Sequence, residues 1–293
     1  MKKISIKLLM IPSILLLIMV ILTGCKYRWL IPLGEIEIEN LAFNQGISQD
    51  YNFQWSSPEN EYLRALFEEF ELENIVRDHE TELDKIMAVT EWTQNLWSHD
   101  GNNEPEQNDP ISIYREANEQ NRNFRCVEYS IVLNGSLNAL GFPSRVLSLK
   151  TQDVETREYG AGHVVIETYS REFDRWIFID PQWSAIPVLN NVPLNAVEFQ
   201  EALANNREDV EVLGFSNRRK VRYFNWIGEY LYYFDTTLNQ RYVNNKSPQR
   251  LMLVPVGAEE PKVFQQNHPI TNMYFTSSID EFYPNPKIHE TEL

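Results

Sequence analysis

The stretch that decides the fold is Gly162-His163-Val164-Val165-Ile166-Glu167-Thr168-Tyr169, then Ser170-Arg171-Glu172-Phe173, then Asp174-Arg175-Trp176-Ile177-Phe178-Ile179-Asp180. Two apolar, β-branched runs flank a polar turn, which reads as an antiparallel hairpin. Pairing them around Ser170–Phe173 sets Trp176 opposite Glu167, Phe178 opposite Val165 and Asp180 opposite His163. Side chains alternate faces along a strand, and opposed residues share a face. His163, Val165, Glu167, Trp176, Phe178 and Asp180 therefore lie on one face, with Val164, Ile166, Ile177 and Ile179 on the other. An imidazole and a carboxylate meet at the open end of the hairpin. A carboxylate on one ring nitrogen fixes the tautomer and leaves the other nitrogen free to take a proton from a nucleophile.

Working outward, Ser144–Lys150 reads as another strand. Before it, Leu140-Gly141-Phe142-Pro143 ends a helix, with Gly after the last turn and Pro beyond it. That helix carries Val127, Ile131, Leu133, Leu137 and Leu140, and its approach is Asn121-Arg122-Asn123-Phe124-Arg125-Cys126. Cys126 thus sits where a loop becomes a helix, among unpaired N–H groups and the positive end of the dipole. Such a position favours the thiolate, the nucleophilic form, and Arg125 adds positive charge. Both faces of the hairpin are apolar, so both need cover. The helix opening at Cys126 is the expected cover for the His163 face.

Earlier helices are expected from Ser57-Pro58, with Leu63, Leu66, Phe67 and Phe70 as the apolar stripe, and over Glu80–Trp97. A short one follows the Asp109-Pro110 cap. Downstream, Asn195–Asn205 reads as helix and Leu251–Val256 as a short buried strand. The aromatic-rich Tyr223–Phe234 suits a core strand better than a binding surface. Helices first and strands after argue an α+β fold with N-terminal helices packed on an antiparallel sheet.

The N-terminus has its own logic. Lys2, Lys3 and Lys7 precede an apolar run, Leu8–Leu22, broken only by Pro12 and Ser13. The run is shorter than the roughly 20 residues of a spanning helix and has the form of an export signal. Its end, Leu22-Thr23-Gly24-Cys25, resembles the lipobox of bacterial lipoproteins. The resemblance implies cleavage before Cys25, acylation of its thiol and a lipid anchor in the cell envelope, on the periplasmic or extracellular face. Losing the three lysines takes the net charge of the 293-residue chain from −16 to −19. Such a surface repels phosphate backbones and argues against nucleic acid as a partner. With Cys25 acylated, Cys126 is left without a partner in the chain.

Arg125-Cys126-Val127-Glu128-Tyr129, Leu140-Gly141-Phe142-Pro143-Ser144-Arg145-Val146, Gly162-His163 through Glu167 and Trp176 through Asp180-Pro181 together resemble the core of the transglutaminase-like superfamily. The resemblance spans about residues 85–185. It implies a papain-like α+β core with Cys126 as nucleophile, His163 as general base and acid, and Asp180 as the orienting carboxylate. One departure is Phe124, where the family often has glycine two residues before the Cys, a change expected to narrow access or alter the loop. The expected organisation is a signal peptide over 1–24, a tether over 25–57, the core over 58–185, and an extension or small lobe over 186–293.

The chemistry this implies is acyl transfer through a thioester on amide or peptide bonds of a protein or peptide substrate, ending in hydrolysis or transamidation. Oxyanion donors are sought at the backbone N–H of Cys126 and at Trp92, Gln94 or Trp97. No metal-ligand spacing links the five histidines, and no cofactor is implied. A solvated loop is the simpler reading of the acidic Asp100–Asp109 segment than a calcium site. The rival class is an envelope-binding lipoprotein that keeps the fold without catalysis. A different papain-like peptidase, such as a cell-wall hydrolase, fits the Cys-His-Asp spacing less well.

Overall fold

The computed structural model describes residues 37–242 and 248–286. The expected signal segment, Cys25 and the first part of the expected tether lie outside the described residues. Five helices come first. They are α1 (Glu61–Glu69), α2 (Leu72–Val76), α3 (Glu82–Gln94), α4 (Pro110–Gln120) and α5 (Cys126–Ala139). Their starts follow local chemistry. The Asn60 side chain accepts from the Tyr62 N–H at 2.9 Å, so α1 begins three residues later than Ser57 would place it. Thr81 caps α3 and Asp109 caps α4, where Pro110 occupies the first helical position and needs no N–H acceptor.

Strands β1 (Ser144–Lys150), β2 (Gly162–Ser170) and β3 (Arg175–Ile179) follow. Beyond them lie β4 (Pro187–Leu189), β5 (Val192–Pro193), α6 (Ala196–Asn205), β6 (Val210–Val212) and α7 (Asn217–Ile227). Next come a 3₁₀ turn (Gly228–Tyr230), β7 (Tyr233–Thr237), β8 (Arg250–Leu253), β9 (Val263–Phe264), β10 (His268–Pro269), β11 (Met273–Thr276) and α8 (Ile279–Phe282). The main sheet has the order β11-β8-β7-β1-β2-β3 and is antiparallel except for β8 and β11. The fold is α+β, with helices on both faces of this sheet.

The hairpin forms with a register two residues away from the sequence-based pairing. Glu167 pairs with Phe178, Tyr169 with Trp176, and Ser170 with Arg175. The turn closes over 171–174, because Asp174 takes the left-handed conformation (φ 52°) that a tight return requires. A shift of two preserves which residues share a face, whereas a shift of one would have reversed it.

The layers differ from expectation in one respect. Leu133 and Leu137 of α5 pack on Ile166, Ile177 and Ile179, so α5 covers the face opposite to His163. The His163 face, with Leu149, Val165 and Phe178, is covered by α6 and α7 through Phe199, Ala202, Tyr223 and Phe224. The aromatic run beginning at Tyr223 is the end of a helix capped by Ser216, not a strand. Helix α5 is surrounded. Its other side meets Leu66, Phe70 and Ile113 of α1 and α4 through Tyr129 and Val132. Gly135 makes the approach possible, since a Cβ there would stand 2.7 Å from Pro110 and 2.9 Å from Leu66.

Residues 44–54 are tied to segments late in the chain. Asn44 bridges Ser278, and Gln54 bridges Asn239. Ile38 packs against the core beside Gly228.

Candidate active site

Strand β3 stops at Ile179, opposite Ile166, so the first residues of β2 run on past it. The space left there is where the two layers of the sheet meet. His163, the second residue of β2, comes from one face, and Cys126, the first residue of α5, from the layer on the other.

Asp180 immediately follows β3. Its backbone forms a two-bond bridge with Ala185, which turns the chain back and fixes the side chain. Each carboxylate oxygen is occupied. Oδ1 accepts from the N–H of Gln182 at 3.1 Å and of Trp183 at 3.4 Å. Oδ2 accepts from Tyr223 Oη at 3.2 Å and lies 2.9 Å from His163 Nε2. With Nε2 on the carboxylate, Nδ1 is the nitrogen left for the thiol, and the Cys126 sulfur is near enough to the ring to act on its protonation. Burial works against a charged His163. The Asp180 carboxylate, its hydrogen bond and the Cys126 sulfur outweigh that and raise the imidazole pKa to about 10. These interactions favour the imidazolium, held between the Asp180 carboxylate and the Cys126 sulfur.

An aromatic wall encloses the pair. Trp226 stands edge-on to His163 with ring centroids 4.7 Å apart, and Tyr230 lies at 5.9 Å. Trp183 packs on both Tyr223 and Trp226. These residues exclude water from the His163–Asp180 bond, which strengthens it. Sequence reasoning did not place them here. The only signal was the spacing of Tyr223, Trp226 and Tyr230, which is helical. His99 lies within electrostatic range of His163 and Asp180. Burial first, and then His163, lower its pKa.

Cys126 is half-buried and opens onto a cleft of about 450 Å³ that His163 also lines. Its helix start differs from expectation. The Arg125 guanidinium is paired with the fully buried Glu128 at 2.7 Å and also with Glu104, so its charge is neutralised rather than offered to the thiol. Glu128 also accepts from the Arg125 N–H at 3.0 Å and closes the first turn. Phe124 does not narrow the site. Its ring is fully buried edge-on to Trp97, and its carbonyl accepts from the Asp100 N–H at 2.8 Å, so it pins the loop instead.

Trp92, Gln94 and Trp97 are not among the cleft-lining residues. Trp92 packs with Phe70 and Tyr114, and Trp97 stacks on Tyr129. Gln94 donates to the carbonyl of Gln182 at 3.2 Å, and so supports the loop after Asp180. Among the described residues, no grouping of three or more His, Cys, Asp or Glu side chains is placed to hold a metal ion. Nor is any helix among them long and apolar enough to cross a membrane.

Residues 72–181 match the model of the transglutaminase-like superfamily. These residues are a transglutaminase-like domain. The domain runs from α2 through Pro181 and contains Cys126, His163 and Asp180. Solved structures with a similar arrangement include a candidate cysteine protease from Cytophaga hutchinsonii, at 16% identity and TM-score 0.34, covering 56% of this chain and 50% of that one. Another is the periplasmic domain of TgpA from Pseudomonas aeruginosa, at 17% and 0.31, covering 48% and 47%. Red sea bream transglutaminase matches at 13% and 0.34, covering 67% and 35%. The chain thus spans half or less of the length of these structures. No curated protein matches the chain.

Proposed function

We propose that the transglutaminase-like domain is a cysteine acyl-transfer site with Cys126 as nucleophile, His163 as acid and base, and Asp180 as the group that orients His163. The observation that carries this reading is the His163–Asp180 bond, Nε2 to Oδ2 at 2.9 Å with both Asp180 oxygens already held, beside a half-buried thiol that lines the same cleft as the imidazole.

The steps follow from that chain. Cys126 attacks an amide or peptide carbonyl carbon as the thiolate, its proton already on His163, and the negative charge moves from sulfur to the carbonyl oxygen. The orphan backbone N–H groups at the start of α5 are placed to meet that charge. As the C–N bond breaks, His163 gives its Nδ1 proton to the departing amine and leaves a thioester on Cys126. Water or a second amine then attacks the thioester, and His163 takes its proton while sulfur leaves. Water gives hydrolysis, and an amine gives transamidation. The export-type N-terminus and the lipobox resemblance support an envelope setting, with the domain tethered to a membrane through acylated Cys25 and acting on protein or peptide substrates.

The test is alkylation by iodoacetamide, read at the Cys126 peptide by mass spectrometry across pH. A working pair keeps the wild-type rate high at pH 6, well below the roughly 8.5 at which a free thiol ionises, and His163→Ala abolishes that low-pH reactivity. A wild-type profile that follows a free thiol and ignores His163→Ala refutes the catalytic role. The same spectra report the N-terminal peptide. Mature protein that begins at Met1 with an unmodified Cys25 thiol refutes the lipid anchor.

A further inference from the structure

The cleft at Cys126 carries an imbalance of buried charge that the reaction steps do not use. Ser148 pairs with Asp235 between β1 and β7, Lys150 with Gly162 between β1 and β2, and Thr237 with Arg250 between β7 and β8. Strand alternation then puts Ser148, Lys150, Asp235 and Arg250 on one face, the face covered by α5. Cys126 is the first residue of α5, and all four line the same cleft as its sulfur and His163.

Asp235 is buried and serves two cations. Its Oδ2 takes the Lys150 ammonium, and its Oδ1 takes the Arg250 guanidinium, with Nε at 2.6 Å. Arg250 also donates to Ser148 Oγ at 3.1 Å. Two cations on one carboxylate leave one positive charge uncompensated. A buried charge without a partner is costly: burial and the Arg250 charge hold the Lys150 ammonium below its ordinary pKa against the pull of Asp235, and a second anion would relieve both cations. Apart from Cys126 and His163, whose charge is matched by Asp180, the remaining cleft lining is apolar or uncharged, including Val127, Phe264, Ile270 and Met273, and brings no further carboxylate. The chain as a whole carries −16, so a positively biased pocket is contrary to its general charge. Arg250, with 28% of its side chain exposed, is open to an incoming group.

We propose that Lys150 and Arg250, held in place by Asp235, form a subsite that receives a carboxylate of the acyl donor, so that an acidic side chain lies in the cleft beside the bond presented to Cys126. The inference rests on the acyl-transfer reading of Cys126. One uncompensated charge fits one carboxylate, whereas a phosphate dianion would leave the pocket negative. The apolar walls accommodate the methylene stem of such a side chain.

The experiment compares two alkylating probes that share one reactive carbon, N-bromoacetyl-glutamic acid α-amide and N-bromoacetyl-glutamine α-amide. Their rates are read at the Cys126 peptide of the full chain. The wild type is expected to favour the carboxylate probe about tenfold, the value of one good hydrogen bond to a charged group. Arg250→Gln and Lys150→Gln each bring the ratio close to one, and Arg250→Lys restores most of it. Because the ratio is taken within each variant, a change in stability or in thiol reactivity cancels. A wild-type ratio of one or below, or a preference that survives both Gln variants, overturns the subsite while leaving Cys126 reactivity intact. If neither probe alkylates Cys126, it is the acyl-transfer reading that fails. The subsite is then decided in Cys126→Ala protein by NMR titration with the N-acetyl analogues of the same pair. Tighter binding of the acid, lost in Arg250→Gln, upholds it, and equal binding overturns it.

Discussion

Strand β1 carries a buried cation near each end, and the two are treated differently. Arg145 and Glu167 are both fully buried and paired at 2.8 Å. Every remaining demand is met nearby. Arg145 also donates to the Phe282 carbonyl at 2.7 Å and is packed against the rings of Trp176, Phe282 and Tyr283. Glu167 Oε1 accepts from the Ala196 N–H at 2.9 Å and from Tyr283 Oη at 2.8 Å. The charges cancel, and neither residue lines the cleft at Cys126. Lys150, five residues along, shares Asp235 with Arg250, so the charges do not cancel, and all three line the cleft at the thiol. A balanced, saturated pair is a clamp that ties β1, β2, α6 and the C-terminus together. An unbalanced cluster at a cleft leaves room for an anion from outside. This is why we assign structure to the first and recognition to the second.

The largest effect expected from this contrast is on stability at the clamp. Arg145→Met leaves the Glu167 carboxylate buried without its cation, a loss that typically costs about 3–5 kcal/mol. Urea unfolding of the variant against wild type measures it directly. A change below about 1 kcal/mol would mean that the clamp is not what holds the C-terminal segment against the sheet.

The His163–Asp180 pair stands between the two extremes, because its cation can let go of its proton and a guanidinium cannot. Its folded pKa, about 10, lies above the ordinary 6.5, so the folded state holds the proton more tightly than the unfolded chain. The stability this contributes is complete below about pH 6.5 and is lost as pH rises through about 10. Unfolding free energies of wild type and His163→Gln should therefore differ most near pH 6 and converge towards pH 10. The difference also removes titrating groups common to both proteins, except His99, whose pKa His163 itself lowers. A gap that widens with rising pH would show that the imidazole is neutral in the folded protein.

How much of this was legible in the sequence depended on distance along the chain. The hairpin faces were readable because parity survives a register shift of two, so His163 and Asp180 were brought to one face even though Asp180 does not pair directly with His163. The place of Cys126 was readable from the Phe124–Cys126 approach and the apolar spacing after it. Which layer α5 covers was not readable, because both faces of β2 and β3 are apolar and nothing local chooses between them. One of the two partners of Arg125 was also hidden, since Glu104 lies 21 residues away across a polar loop. The cationic cluster was the least visible part. Lys150, Asp235 and Arg250 come from three strands spread over a hundred residues, and they meet only when β7 and β8 extend the sheet past β1.

The smallest expected effect is also the most discriminating. If Arg250 served as a clamp like Arg145, its removal would cost several kcal/mol, because it would leave a buried carboxylate short of a partner. By the charge count it should not. Arg250→Gln leaves Asp235 paired with Lys150, one anion with one cation, and removes the charge that had no counterpart. The amide keeps a donor for Ser148 or Asp235. The net change in unfolding free energy should lie within about 1 kcal/mol of zero and can be of either sign, as for a surplus charge at a half-open position. Asp235→Asn in the same assay provides the internal contrast, since it leaves two adjacent cations with no carboxylate between them, and it should cost more than either cation's loss. A cost for Arg250→Gln that matches Arg145→Met would show that the cluster is a second clamp, and the physical distinction between the two ends of β1 would be gone.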